Sequence, residues 1–204
     1  MIQFKEISLA FGDQVVFADF NLNIAEGEKV LLRAASGRGK STLFKLLLGF
    51  QRSDQGEILF KGRRLDRNNL FYFRRNIAYV SQDVDLRNLK VWDLINEIFD
   101  YKYNRTISIT KEKVMELIDF FLLPADLITK EVGQLSGGER QRLGLIICIM
   151  LNRPVWLLDE ITTGLDQESK KVLVNYVLKQ HKTVLIISHD QIWSKNNLVR
   201  VEEW

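Results

Sequence analysis

Two short stretches carry residue types that could do phosphate chemistry. The first is "RAASGRGKST", residues 33–42. A glycine-rich turn running into a helix start gathers backbone N–H groups and a positive helix end around an anion. Lys40 can bridge the outer phosphates of a nucleotide and Ser41 can offer a hydroxyl to Mg²⁺. Gly37 and Gly39 leave the backbone open to close approach. The strict pattern Gly-x-x-x-x-Gly-Lys-Ser/Thr asks for a glycine where this chain has Ala34. If that backbone needs a positive φ, alanine costs about 1–2 kcal/mol. If φ is negative, the cost is near zero. A glycine turn that only starts a helix is the plainer reading of the same residues.

The second stretch is "PVWLLDE", residues 154–160. Apolar residues on consecutive positions suit a central parallel strand buried on both faces. Its two acids fall at the carboxyl end, where open α/β sheets bind ligands. Asp159 would hold Mg²⁺ and Glu160 would polarise an attacking water, against the plainer reading of two acids entering a loop. A third stretch, "LSGGERQR" at 135–142, spaces Ser136 and Glu139 as a helix capping box. Gly137 and Gly138 exceed what a cap needs, and they suit amides that approach an anion. The two readings are compatible, since a capped helix start is also an anion site.

These groups need elements to hold them. Residues 2–30 alternate in short apolar pieces and predict antiparallel strands, and "KVLLRA" predicts a strand entering the glycine-rich loop. After the loop, Leu43, Leu46, Leu47 and Phe50 share one helical face. "GEILFKG" and "IAYVSQ" read as further strands. From about Asp83 to Met150 the period is helical, in "VWDLINEIFDY", "KEKVMELIDFFLL" and "GERQRLGLIICIML". Buried strands return in "VWLLD", "TVLIIS" and "LVRVE", with a helix around "QESKKVLVNYVLKQ" between the first two. Strands alternating with helices predict a largely parallel sheet, with the helical stretch at about 83–150 as an inserted subdomain of one domain spanning 1–204.

The totals exclude several classes. With 204 residues, 46% hydrophobic and 27% charged, the chain can bury a core without staples. The single cysteine, Cys148, lies in an apolar run and reads as a buried structural thiol. The longest apolar run, Leu143 to Leu151, is far short of the ~20 residues a spanning helix needs. The start "MIQFKEISLAF" lacks the pattern of a signal peptide, so the expected location is cytoplasmic. A net charge of +3 with scattered Lys and Arg argues against nucleic acid as a direct ligand.

Taken together and in order, the motifs resemble the ATP-binding cassette (ABC) ATPases, the nucleotide-binding subunits of ABC transporters. The likeness covers essentially the whole chain. "ASGRGKST" resembles the Walker A loop, "VWLLDE" the Walker B strand, and "LSGGERQR" the family signature, the most specific of the three. Gln82 in "YVSQD" falls at the Q-loop glutamine, Asp166 in "TTGLD" at the D-loop aspartate and His189 in "IISHD" at the switch histidine. Phe11 lies where the family stacks an aromatic ring on adenine. The departures are Ala34, Ile161 in place of a proline after the catalytic glutamate, and Phe11 in place of the usual tyrosine. None removes a group that does chemistry, so Ala34 reads as a tolerated variation.

The resemblance implies a P-loop NTPase (RecA-like) α/β core with an N-terminal antiparallel β subdomain and an inserted α-helical subdomain. It implies ATP and Mg²⁺ as cofactors. Ser36, Gly37, Arg38, Gly39, Lys40, Ser41 and Thr42 would contact the nucleotide, with Phe11, Gln82 and Asp166. Ser41, Gln82 and Asp159 would hold the metal, and Glu160, His189 and Lys40 would carry catalysis. Ser136, Gly137 and Gly138 would meet the γ-phosphate on a second subunit in a head-to-tail homodimer. A separate transmembrane permease subunit would receive the output, docking beside the Q-loop in a groove lined from about Asp83 to Tyr103 on the cytoplasmic face of the membrane. "FFLLPADLITKEVGQLSGGERQRLGLI" is similar to the ATPase of an iron-export system, which makes a metal ion the implied cargo. The alternative is a soluble ABC ATPase acting on the ribosome or DNA. Such proteins usually carry two cassettes or long coiled-coil insertions.

Overall fold

The computed structural model describes residues 1–35 and 37–204. Ser36, expected to contact nucleotide, lies outside the described residues. The chain opens with β1 (Ile2–Phe11) and β2 (Gln14–Ile24), an antiparallel hairpin. β3 (Lys29–Arg33) follows and leads through residues 34–39 into α1 (Lys40–Leu47). β4 (Gln55–Phe60) and β5 (Arg63–Arg64) return to the hairpin, giving a four-stranded antiparallel sheet in the order β2-β1-β4-β5. After α2 (Leu70–Asn76) comes β6 (Ile77–Val80).

The helical stretch follows β6. It holds α3 (Val91–Asp100), α4 (Lys111–Phe120), two short 3₁₀ turns and α5 (Gly137–Leu151). β7 (Val155–Asp159), α6 (Gln167–Lys179), β8 (Thr183–Ile187), α7 (Gln191–Ser194) and β9 (Val199–Glu203) complete the chain. The second sheet runs β6-β7-β8-β3-β9 and every pairing in it is parallel. The architecture is the expected one: a parallel-sheet core, an antiparallel β subdomain and a helical insertion. Among the described residues no helix is long and apolar enough to cross a membrane.

The consecutive apolar residues of the central strands follow from this layering. Val155 and Leu157 of β7 face one core, shared with Leu43, Phe44, Leu46 and Leu47 of α1 and with Phe4, Phe17 and Phe60 of the antiparallel sheet. Trp156 and Leu158 face the other core, built with α3, α4, α5 and α6. With both faces covered, a polar residue in the middle of β7 or β8 would have no solvent to reach, and their polar residues, Asp159 and Thr183, stand at the strand ends.

One sequence expectation is corrected. Phe50 does not share the buried face of α1. The helix ends at Leu47, and Gly49 takes a positive φ of 67°, which reverses the chain. Phe50 emerges 65% exposed, with the Arg74 guanidinium 4.5 Å above its ring. Cys148 is buried, and burial pushes its thiol up, so it is inert packing.

Candidate functional site

Three neighbouring parallel strands end at one level. Asp159 of β7 pairs with Ile187 of β8, and Ile187 pairs with Leu32 of β3. Just past that row lie Glu160, His189 and the loop that begins at Ala34. The pleat and register of the sheet therefore gather segments that are far apart in sequence, in the crevice where such sheets bind ligands.

The loop between β3 and α1 is shaped by its glycines. Gly37 and Gly39 have φ of 79° and 86°. At Gly39 a Cβ would stand 2.5 Å from Val16 Cγ1 and 3.0 Å from Phe17 Cζ, so β2 packs directly on the loop. Ala34 is buried and is not among the residues with positive φ. The missing glycine therefore costs the backbone nothing there. The start of α1 has no side-chain cap and no acid in its first turn, which leaves its positive end available to an anion. Lys40 Nζ donates to the carbonyls of Ala34 (2.7 Å) and Ala35 (3.2 Å), which holds the ammonium over the loop. Arg38 and Ser41 are exposed and Thr42 half-buried at this helix start.

Asp159 is 4% exposed and lies near the Ser41 hydroxyl. The Tyr79 hydroxyl of β6 donates to Asp159 Oδ2 at 3.3 Å. Burial pushes the Asp159 carboxyl up, and the Glu160 charge adds to this against the pull of Ser41, Tyr79 and Lys40. A buried carboxylate beside a serine hydroxyl is a hard-oxygen donor pair that fits Mg²⁺, whose charge would relieve that burial. Among the described residues no group of three or more His, Cys, Asp or Glu gathers into an all-protein metal cage.

Glu160 takes a φ of 52°, an uncommon backbone for a non-glycine residue, and is fixed by its N–H donating to Ile187 O at 2.8 Å. The turn leaves the side chain nearly buried, with Oε2 accepting from Thr163 Oγ1 at 3.1 Å. His189, on an exposed side chain, brings Nε2 to 3.6 Å from Glu160 Oε1. Ile161, where the resembled family has proline, is buried in the core.

The signature residues stand at the start of α5. The Ser136 hydroxyl accepts from Glu139 N at 3.2 Å while Glu139 accepts from Ser136 N at 2.7 Å, closing a capping box. The hydroxyl hydrogen stays available to donate. Ser136 and Gly137 are exposed, and a Cβ on Gly138 would meet Leu165 Cδ2 at 2.9 Å. The signature thus lies against the segment of Asp166 and away from the phosphate loop in its hydrogen bonding. Asp166 caps α6, accepting from Ser169 N and Ser169 Oγ at 2.8 and 2.7 Å, and these bonds hold its carboxyl low. Phe11, 49% exposed, ends β1 opposite Gln14 on the hairpin whose β2 strand covers Gly39. Gln82 is exposed, and only its carbonyl joins a hydrogen bond among the described residues.

Four residues with no role assigned from the sequence join this arrangement. Tyr79 bonds Asp159. Gln141 donates to the carbonyls of Gln82 and Glu160. Arg142 reaches Gly138 O, Phe121 O, Leu122 O and Ser169 Oγ, connecting the signature to Asp166 through Ser169. The Trp204 indole donates to Arg38 O in the glycine-rich loop. Gln141 and Arg142 lie inside the quoted signature, and that position was the only signal pointing to them.

A family model described as "ABC transporter" matches residues 17–163. The "Probable iron export ATP-binding protein FetA" of Escherichia coli (strain K12) is 31% identical over 195 residues, covering 94% of this chain and 85% of that protein. An "ATP-dependent lipid A-core flippase" of Haemophilus influenzae (strain ATCC 51907 / DSM 11121 / KW20 / Rd) is 33% identical over 196 residues, covering 92% of this chain. The chain spans 33% of that flippase's length. Among solved structures, a dimeric bacterial ABC transporter cassette aligns with a TM-score of 0.82 and 25% identity, over 100% of this chain and 94% of that one. A dimeric post-hydrolysis cassette bound to ADP and Pi aligns with a TM-score of 0.79 and 26% identity, over 93% and 88%.

Proposed function

The chain belongs to the ABC transporter family as an ATP-binding ATPase cassette, and from that premise we propose that it hydrolyses ATP between two copies of itself to drive a separate membrane permease. The observation that carries this reading is the common level of β7, β8 and β3, which brings Asp159, Glu160, His189 and the Lys40 loop to one crevice.

In that crevice the loop amides and Lys40 bind the β- and γ-phosphates, with Phe11 offering a ring face to the adenine. Ser41, Asp159 and Gln82 would hold Mg²⁺, which would supply charge neutralisation on the phosphates. Glu160 accepts the proton of the water that attacks the γ-phosphorus, and ADP departs in line. His189, beside Glu160, donates to the γ-phosphate and stabilises its developing charge. One subunit offers this crevice with an open side. The exposed Ser136 and Gly137 of a second subunit, with Gly138, close it, and Asp166 of each chain borders the shared interface. Release of phosphate removes that bridge and opens the dimer.

The permease docks beside Gln82. On α2 and after α3, Phe71 and Tyr103 pack at a tilt of 57° with ring centroids 4.2 Å apart, both half exposed, and Arg75 lies 5.6 and 5.1 Å from their centres. An exposed aromatic pair with arginine is the composition of an interface hot spot. Most of "LRNLKVWDLINEIFDY" serves as core: Val91, Leu94, Ile95 and Phe99 are all buried. The cassette then sits peripherally on the cytoplasmic face of the membrane. The likeness to FetA along most of its length supports a metal ion, iron, as the exported cargo.

Gel filtration of Glu160→Gln with and without ATP and Mg²⁺ tests the dimer. This change blocks hydrolysis and leaves the binding groups in place, so ATP should move the chain from monomer to dimer. A chain that stays monomeric with ATP bound, shown by a fluorescent nucleotide titration, would sink the shared-site reading.

A further inference from the structure

We propose that Gln141 is a positioning residue that links the signature helix to the two catalytic segments of its own subunit. This rests on the ATPase reading above. Gln141 lies in the second turn of α5 and is 7% exposed. Its amide nitrogen donates to Gln82 O at 3.5 Å and to Glu160 O at 3.4 Å. One NH₂ group thus spans the backbones of the Q-loop and of the residue that takes the water's proton.

The other end of the same side chain strengthens the case. Gln141 Oε1 is buried and has no hydrogen-bond partner among the described residues. A buried acceptor left unpaired destabilises the fold. Methionine would fill a similar volume without that penalty. The two donated bonds are therefore what glutamine adds.

The surroundings make the link stiff. One turn further on, a Cβ at Gly144 would stand 3.0 Å from Val84 Cγ1 and 3.2 Å from Val80 Cγ1, so α5 lies tight against the Q-loop. Val84 is buried there with a φ of 38°, a conformation a β-branched residue holds only when its packing imposes it. Ser136, Gly137 and Gly138 open the same helix. A second subunit's phosphate that seats against them moves α5, and Gln141 passes that movement to the backbone beneath Glu160. Arg142, the next residue, carries the same helix to Asp166 through Ser169. Adjacent residues of the signature thus address the chain's own catalytic glutamate and its dimer-facing aspartate.

The test is Gln141→Met in the full chain, measured with ATP and Mg²⁺ beside the wild type. We expect kcat to fall by about 10- to 100-fold, as a small misplacement of a reacting group does. The Kd for a fluorescent ATP analogue should stay within about twofold, because no phosphate contact is lost. Thermal unfolding should occur at or above the wild-type temperature. Wild-type kcat in Gln141→Met, or a loss carried by Kd instead, overturns the proposal. A second measurement needs no variant at the position: in Glu160→Gln, the Gln141 side-chain NH₂ resonances should shift when ATP closes the dimer. Resonances unmoved on closure overturn the proposal even if Gln141→Met fails to fold. A wild-type chain with no ATP turnover removes the ATPase reading, and this proposal with it. Turnover that Gln141→Met leaves intact removes the proposal alone.

Discussion

The Trp204 indole N–H donates to the carbonyl of Arg38 at 3.0 Å, so the residue after β9 holds the glycine-rich loop before α1. The ring is itself seated: its centroid lies 5.2 Å from that of Phe20 and 6.3 Å from that of Phe17. Phe17 in turn covers Gly39. Trp204→Phe keeps the aromatic packing and removes the one donor. ATP should then bind about 2- to 10-fold more weakly, the worth of one net hydrogen bond, with kcat at saturating ATP unchanged. Wild-type tryptophan emission should change on nucleotide addition, and Trp204→Phe should lose that change. Unaltered affinity in the variant would show that the loop holds its shape without the indole.

Ala34→Gly should leave nucleotide affinity within about twofold of wild type. Ala34 has no positive φ, so glycine relieves no strain. It instead loosens the unfolded chain, and stability should fall by about 0.4–1 kcal/mol, or roughly 2 °C in Tm. An affinity gain of about tenfold or more would mean that the nucleotide-bound loop demands a backbone alanine resists.

Much of this was legible because it is local. "VWLLD" reads as a buried strand since every residue meets one core or the other, and Ser136 with Glu139 reads as a cap since both partners lie within one turn. Phe50 misled because its spacing fits the face of α1, while the reversal that expels it belongs to Gly49. α2 carries aromatic and arginine residues on consecutive positions, a pattern with no single apolar face to read. The unread parts of the site are long-range hydrogen bonds. Tyr79 meets Asp159 across 80 residues, and Gln141 meets Gln82 across 59. No period in a sequence encodes such a pair. Motif order located the crevice, and only the sheet register showed what steadies its members.

Stability should fall in acid through Glu28. Burial alone would push its carboxyl up, but Arg200 Nε at 2.6 Å and Ala25 N at 2.8 Å hold it below its ordinary value of 4.5. The folded state therefore favours the carboxylate. The stabilisation is complete above the unfolded value and is lost as pH drops through the folded one. Arg200 also donates to Asn23 O at 2.7 Å, so the pair fastens the edge strand β9 to the turn before β3 and to β2 of the antiparallel sheet. Thermal scans from neutral pH down to roughly pH 3.5 should show Tm falling below the ordinary value. Glu28→Gln should start from a lower Tm at neutral pH and fall less steeply. Parallel curves for the two chains would place the acid sensitivity elsewhere.

Tyr79 offers the sharpest separation of metal holding from packing. Its ring sits edge-on to Phe44, 5.9 Å between centroids, and its hydroxyl alone reaches Asp159. Partial burial and the Asp159 charge push the hydroxyl's pKa up, so it remains a donor throughout the working pH range. Tyr79→Phe retains the edge contact and leaves Asp159 with only the nearby Ser41 hydroxyl to steady its carboxylate. Groups that orient a metal's ligand typically change affinity or activity about 10- to 100-fold when removed. The low end fits here, since the bond is 3.3 Å long and the ring is 41% exposed. The Mg²⁺ concentration for half-maximal ATPase should therefore rise about tenfold. Tm and ATP affinity without Mg²⁺ should hold, because neither depends on the orientation of Asp159. A variant with the wild-type Mg²⁺ profile would show that Ser41 alone orients the carboxylate. A Tm loss with an unchanged profile would make Tyr79 a packing residue whose hydroxyl is incidental.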